Sequence, residues 1–166
     1  MSSLYVASII NNKYMNFTEI WSFFIFFKIY LFLHFFITGN PMVTVETSSF
    51  HNLPNLKTVL LTQNQLRSLA HRSFSHLTSL QRLELQHNFL SEFSLAAFEN
   101  CSNQLNSPMM LNISFNRLDT LVPAPKAKIF VPPFIHVLDA SRNLLTRIPL
   151  SFLEQIAPAL RRLDLR

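Results

Sequence analysis

Apolar residues in the middle of this chain recur at unequal intervals that nevertheless repeat. Between Leu56 and Ser79 they fall at Leu56, Val59, Leu61, Leu66, Leu69, Phe74 and Leu77, with Asn64 set among them. Neither a period of 2 nor a period of 3.6 runs through the whole stretch, so one strand or one amphipathic helix does not explain it. The alternation at Val59-Leu60-Leu61 predicts a short strand, with Val59 and Leu61 inward and Leu60 outward. Asn64 falls where the chain turns out of that strand, and an amide buried there needs backbone partners. Leu66 and Leu69 are expected to line the bend. Phe74 and Leu77 close the coil from behind. A single coil of this kind cannot bury its own core and needs a neighbour above and below.

The pattern returns along the chain. Counting back 24 residues gives Phe32, Phe35, Ile37, Asn40, Met42, Val45, Phe50 and Leu53 in equivalent places. A further step of 24 puts Asn11 and Lys13 at core positions, so the array is expected to begin near Phe35. Counting forward gives Leu80, Leu83, Leu85, Asn88, Leu90, Phe93, Phe98 and Cys101. Cys101 replaces Leu77 and reads as a small buried hydrophobe rather than a reactive thiol. Another copy holds Leu111, Ile113, Asn116, Leu118 and Leu121. Four prolines between Val122 and Phe134 exclude a regular helix there, and Ile129 and Phe130 are expected to pack inward from an extended back face. Ile135 opens a copy with Leu138, Ala140, Asn143, Leu145, Ile148 and Leu153, and Ser151–Ala157 suits a helical turn or two. Leu160, Leu163 and Leu165 start a last one. The asparagines Asn40, Asn64, Asn88, Asn116 and Asn143 are thus spaced by 24, 24, 28 and 27.

The spacing Leu56-x-x-Val59-x-Leu61-x-x-Asn64-x-Leu66 resembles the leucine-rich repeat family. The back-face pairs Phe74/Leu77 and Phe98/Cys101 resemble its typical extracellular subclass. The phrases LNISFNRLDTL (111–121) and IPLSFLEQIAPALRRLDL (148–165) are similar to chaoptin-like adhesion proteins and Toll-like receptor ectodomains. The resemblance implies an α/β fold, a solenoid or horseshoe with a parallel sheet on its concave face. It implies about five repeats over 35–166, ending in mid-repeat. The usual cysteine-rich caps, a Toll-type signalling domain and a lipid-anchor signal are missing, so the chain reads as a fragment of a longer receptor. The implied function is non-catalytic protein–protein recognition in a cell-surface or secreted adhesion or receptor protein. The alternative is a purely structural repeat segment of a larger Toll-like immune receptor whose ligand site lies elsewhere.

Residues 1–34 are unlike the rest. From Ile20 to Ile37 the run is interrupted only by Ser22, Lys28 and His34, near the roughly 20 residues a membrane helix needs. Three readings stand. It is a signal peptide or signal anchor attaching the chain to a membrane through 20–37. It is a cap packed on the first repeat. Or it is a gene-model artefact, since Phe, Ile, Asn, Lys and Tyr dominate translated AT-rich sequence. Phe35 and Ile37 are claimed by both the helix and the first strand.

Composition narrows the chemistry. The 166 residues are 49% hydrophobic and 14% charged, with a formal net charge of +5. The basic residues are scattered, which argues against a nucleic-acid footprint. One glycine, Gly39, excludes phosphate-binding and nucleotide-binding glycine loops. One cysteine excludes an internal disulfide and a cysteine metal cluster. The histidines lack metal-ligand spacing, and His71 and His76 read as solvated on the back face. No catalytic group, cofactor or metal is therefore expected.

The outward strand positions are the candidate partner-binding residues. They are Arg82, Glu84, Gln86, Asn112, Ser114, Phe115, Asp139, Arg142, Arg162 and Asp164, a mixed polar face suited to a protein partner. Asn16, Asn100 and Asn112 begin N-x-[ST] triplets and are candidate glycosylation sites of an extracellular or cell-membrane protein. Asn100 is preferred, because a glycan on Asn112 would stand on the sheet.

Overall fold

The structure, a computed structural model, describes residues 5–10, 32–47, 49–50, 53–99, 101, 108–125 and 134–166. Asn16, Asn100, residues 20–31, and Ile129 with Phe130 lie outside them. In chain order the strands are β1 (Tyr5–Ile10), β2 (Phe32–Thr38), β3 (Thr44–Val45), β4 (Thr58–Leu60), β5 (Ser68–Leu69), β6 (Arg82–Glu84), β7 (Glu92–Ser94), β8 (Met109–Asn112), β9 (Thr120–Val122), β10 (Ile135–Asp139) and β11 (Arg162–Asp164). Between them lie a 3-10 turn at Leu95–Phe98 and the helix α1 at Leu150–Ile156.

Seven of these strands form one parallel sheet in the order β1-β2-β4-β6-β8-β10-β11. The order is sequential because each coil lays its strand beside the one before. Phe35, Val59, Leu83, Leu111, Leu138 and Leu163 form one continuous row across it. The residue two positions on extends the pairing: the N–H of Leu61, Leu85, Ile113 and Ala140 donates to Glu84, Asn112, Asp139 and Asp164 carbonyls at 2.8–2.9 Å. The fold is the expected parallel-sheet solenoid. Two small parallel sheets, β3–β5 and β7–β9, line the far side of the turns.

The core is a stack of equivalent side chains. Phe50, Phe74 and Phe98 run down its back, with ring centroids 5.4 and 5.7 Å apart. Phe35 meets Phe50 edge-on at 5.4 Å. Leu56, Leu61, Leu66, Leu77, Leu80, Leu83 and Leu85 are fully buried against them. Cys101 is buried in the place of Leu77, and its thiol donates to the Leu77 carbonyl at 3.1 Å. Burial pushes that thiol up to about 12, which keeps it protonated and inert.

The asparagines stitch the coils together. Asn88 Nδ2 donates to the carbonyls of Leu61 and Leu85, both at 2.9 Å, and its Oδ1 accepts from Leu66 N–H at 3.0 Å. Asn116 repeats this with Leu85, Ile113 and Leu90, and Asn143 with Ile113, Ala140 and Leu118. Asn64 donates to Ile37 and Thr62, and its oxygen accepts from Asn40 N–H. Each side chain thereby satisfies backbone groups of two successive turns, and Asn64, Asn88 and Asn116 do so where water does not reach.

The amino-terminal side departs from the step of 24. β1 pairs with β2 so that Ala7 faces Phe35 and Ile9 faces Ile37, a step of 28. That step brings the β-prone run ending Ile9-Ile10 into the sheet in place of Asn11 and Lys13. The sheet therefore starts one strand before Phe35. β2 is paired on both sides, and Phe35 and Ile37 are buried in the core. The competition between helix and strand for these two residues goes to the strand. Among the described residues no helix is long and apolar enough to cross a membrane.

Candidate functional site

Parallel pairing turns one strand position into a row of side chains across the sheet. Glu84, Asn112, Asp139 and Asp164 form such a row, as the spacing predicts. Most of their polar atoms point back onto their own strand. Glu84 is buried, with only 7% of its surface exposed. It accepts from Arg82 Nε at 2.6 Å and from Gln86 Nε2 at 3.0 Å, and Arg82 Nη2 also touches it. Asn112 Oδ1 accepts from the N–H and hydroxyl of Ser114 at 3.0 and 2.7 Å. Asp139 makes the same pair of bonds to Ser141, again at 3.0 and 2.7 Å.

These bonds end the strands. A short side chain with an acceptor two residues before a free N–H closes a small turn that competes with further pairing. Asp164 does this with Arg166, whose N–H lies 3.2 Å and Nη2 2.7 Å from the carboxylate. The Arg166 guanidinium holds the Asp164 carboxyl down at about 2, helped by that backbone N–H and by Arg162.

Arg82, Arg142 and Arg162 are exposed but do not form one group. Arg82 and Arg162 share the strand row just before the core leucines. Arg142 lies beyond the strand, on the turn before Asn143. Ser114 is buried, at 3% exposure, and Gln86 is half-buried.

The turn before each asparagine carries a feature that spacing alone does not reveal. Gly39, Gln63, His87, Phe115 and Arg142 all hold positive φ, between 52° and 72°. Only the first is glycine, so four side chains are held in a backbone region that costs about 1–3 kcal/mol. They stand side by side as a ridge along the sheet's edge. His87 stacks on Phe115 with centroids 4.5 Å apart. Phe115 is 48% exposed. The unusual large side chains next to Asn88 and Asn116 were the available sequence signal; Phe89 and Arg117, on the other side of those asparagines, were missed.

On the back face, His71 Nε2 and Arg72 both pair with Glu99, Arg72 at 2.9 Å. His71 is thus exposed yet tied to the next turn, not simply solvated. Among the described residues no group of three or more His, Cys, Asp or Glu side chains is placed to hold a metal.

Comparison with known proteins agrees with this geometry. The leucine rich repeat family profile matches residues 34–90, which include Asn40, Asn64 and Asn88. Trophoblast glycoprotein of Macaca fascicularis is 26% identical over 146 residues, covering 78% of this chain and 34% of that protein. The crystal structure of a TLR13–ssRNA13 complex superposes with a TM-score of 0.73 at 26% identity, covering 95% of this chain and 21% of that one. The chain spans only these fractions of both relatives. Together these similarities support a leucine-rich repeat family of the extracellular type.

Proposed function

We propose that this chain is a non-catalytic recognition segment of a cell-surface or secreted adhesion or receptor protein, and that its partner is a protein. The observation that carries this is the exposed ridge and its neighbours: Phe115, Arg142, Arg82 and Arg162 present an aromatic ring and guanidinium groups from successive coils. Such residues dominate protein interfaces. The self-bonded row of Glu84, Asn112, Asp139 and Asp164 then shapes the face rather than supplying its anchors. That same self-bonding favours a second reading, a structural segment of a larger receptor whose ligand site lies in other repeats.

The solved relative was crystallised with single-stranded RNA. We assign a protein partner here, because the carboxylates of Glu84 and Asp164 stand beside Arg82, Arg162 and Arg166 on the sheet side and repel a phosphate backbone. An extracellular or membrane-surface location accords with the relatives and with the Asn100 triplet, preferred over Asn112, whose amide oxygen engages Ser114. Membrane attachment through 20–37 is no part of this reading.

The test is secretion of the full chain from animal cells, with glycosidase treatment and a binding screen against extracellular protein domains. A mobility shift removed by Asn100→Gln and a saturable protein partner are expected. A folded, unglycosylated chain that binds no protein domain would oppose the reading.

A further inference from the structure

The exposed apolar side chains are not spread evenly. Residues one and three positions past each ladder asparagine face the flank of the coil, away from the sheet. Val43, Phe89 and Leu144 occupy such positions and are 47%, 41% and 64% exposed. Leu150, at the start of α1, is 70% exposed. The flank is stacked by backbone bonds, Arg67 N–H to Val43, Phe89 N–H to Leu66 and Leu144 N–H to Leu118, each 2.8 Å.

Two clefts open along it. One, of about 440 Å³, is lined by Arg67, Phe89, Ser91 and Arg117. The other, of about 540 Å³, includes Asp119, Arg147 and Leu150. The Arg117 guanidinium lies 4.7 Å from the centre of the Phe89 ring. Among the described residues no carboxylate pairs with Arg67, Arg117 or Arg147, whereas Arg72, Arg82, Arg162 and Arg166 all have one. The flank therefore combines exposed apolar area with guanidinium forks whose donors are still unspent, and among the described residues Asp119 is the one acid lining the two clefts.

We propose that this flank docks an acidic segment of the partner protein, with apolar side chains packing on Phe89 and Leu150 and carboxylates reaching Arg67, Arg117 and Arg147. The proposal rests on the protein-recognition reading and adds to it a face and a partner chemistry. Carboxylates suit the free forks, because a guanidinium binds them with two parallel hydrogen bonds. Exposed apolar residues interleaved with arginines along one flank suit burial against another protein. A single-stranded nucleic acid fits less well. Bases need open aromatic faces, and Arg117 covers one face of Phe89. Val43, Leu144 and Leu150 offer no stacking surface, and Asp119 repels phosphates.

The probe is a fluorescein-labelled peptide of alternating Glu and Leu, titrated with the full chain and followed by anisotropy. Saturable binding is expected, weakened about tenfold or more by Arg67→Glu with Arg117→Glu. Phe89→Ser should weaken it as well, and replacing Glu by Gln in the peptide should abolish it. Arg161→Glu, exposed just before β11, should leave it unchanged. All the altered residues are exposed, and a thermal midpoint equal to the parent's confirms that the variants fold. Binding unmoved by the Arg67/Arg117 pair but lost in Arg142→Glu would place the docking site on the sheet side, leaving protein recognition standing. A single-stranded RNA probe that bound instead, and was lost in the arginine pair, would overturn the acidic partner. No binding of the peptide by the folded chain would overturn the proposal outright.

Discussion

Asn88 Nδ2 donates to the Leu61 carbonyl at 2.9 Å, across the full length of one coil. The same side chain also holds Leu85 of its own coil and Leu66 N–H of the coil before. Removing it strands buried groups that have no water to turn to, at about 1–3 kcal/mol each. Asn88→Ala should therefore destabilise the chain by more than ~2 kcal/mol, measured by urea unfolding. Asn143→Ala should cost less, because Asn143 is only half-buried and water can take its place.

Gln63 and Gly39 occupy the same turn position at φ 54° and 72°. A side chain is disfavoured there by roughly 1–2 kcal/mol, while glycine is not, although glycine adds freedom to the unfolded chain. Gln63→Gly is expected to be neutral or stabilising by up to about 1 kcal/mol, and Gly39→Val destabilising by about 1–2 kcal/mol. Thermal melts of the two variants check the contrast. A loss of stability in Gln63→Gly would count against backbone strain at the ridge.

Core truncation and hydroxyl removal should act in opposite directions. Leu85 is fully buried, and Leu85→Ala should cost about 2–5 kcal/mol. Ser75 is buried with its hydroxyl unbonded. Ser75→Ala should be neutral or slightly stabilising by the same unfolding assay, since an unsatisfied buried hydroxyl carries a cost of about 1–3 kcal/mol.

The Arg72 guanidinium, hydrogen-bonded to Glu99, holds the Glu99 carboxyl below its usual range, with His71 adding to the effect. A carboxylate whose folded pKa is depressed stabilises the fold above its ordinary value, and loses that contribution as pH falls through the lowered one. In Arg72→Ala the Glu99 carboxyl should titrate nearer the ordinary carboxylate range by carbon-13 NMR. An unchanged midpoint would show that Arg72 is not its main partner. The pair is exposed, so its effect on overall stability is small and weakens with salt.

Much of the fold was legible because the repeat needs two things in every coil that side chains alone can supply. An apolar pair two residues apart must point inward, and an asparagine must satisfy the turn. Val59/Leu61 with Asn64, and Leu83/Leu85 with Asn88, meet both conditions, and the sheet rows follow from them. β1 pairs with β2 at a step of 28 rather than 24, the same step that separates Asn88 from Asn116, and spacing from the regular repeats alone does not reveal such a step.

The functional face was less legible. Glu84 and Asp139 do share a row, but spacing says nothing of where a carboxylate's bonds go. Arg82 and Ser141, each two residues away in sequence, take them up locally. Phe89, which falls between Asn88 and the core residue Leu90, is assigned no role by the repeat pattern. Its exposure depends on lying one residue past Asn88, where the chain has already turned outward.

The central claim is that recognition depends on the exposed ridge and arginines, while the acidic row is structural. It is tested by the affinity of the secreted chain for its protein partner in two variants. Phe115→Ala with Arg142→Glu should weaken binding about tenfold or more, as loss of an aromatic and an arginine anchor does. Asp139→Asn keeps an acceptor for Ser141 and should leave affinity nearly unchanged. Loss of binding in Asp139→Asn, with the ridge variant binding like the parent, would contradict the account.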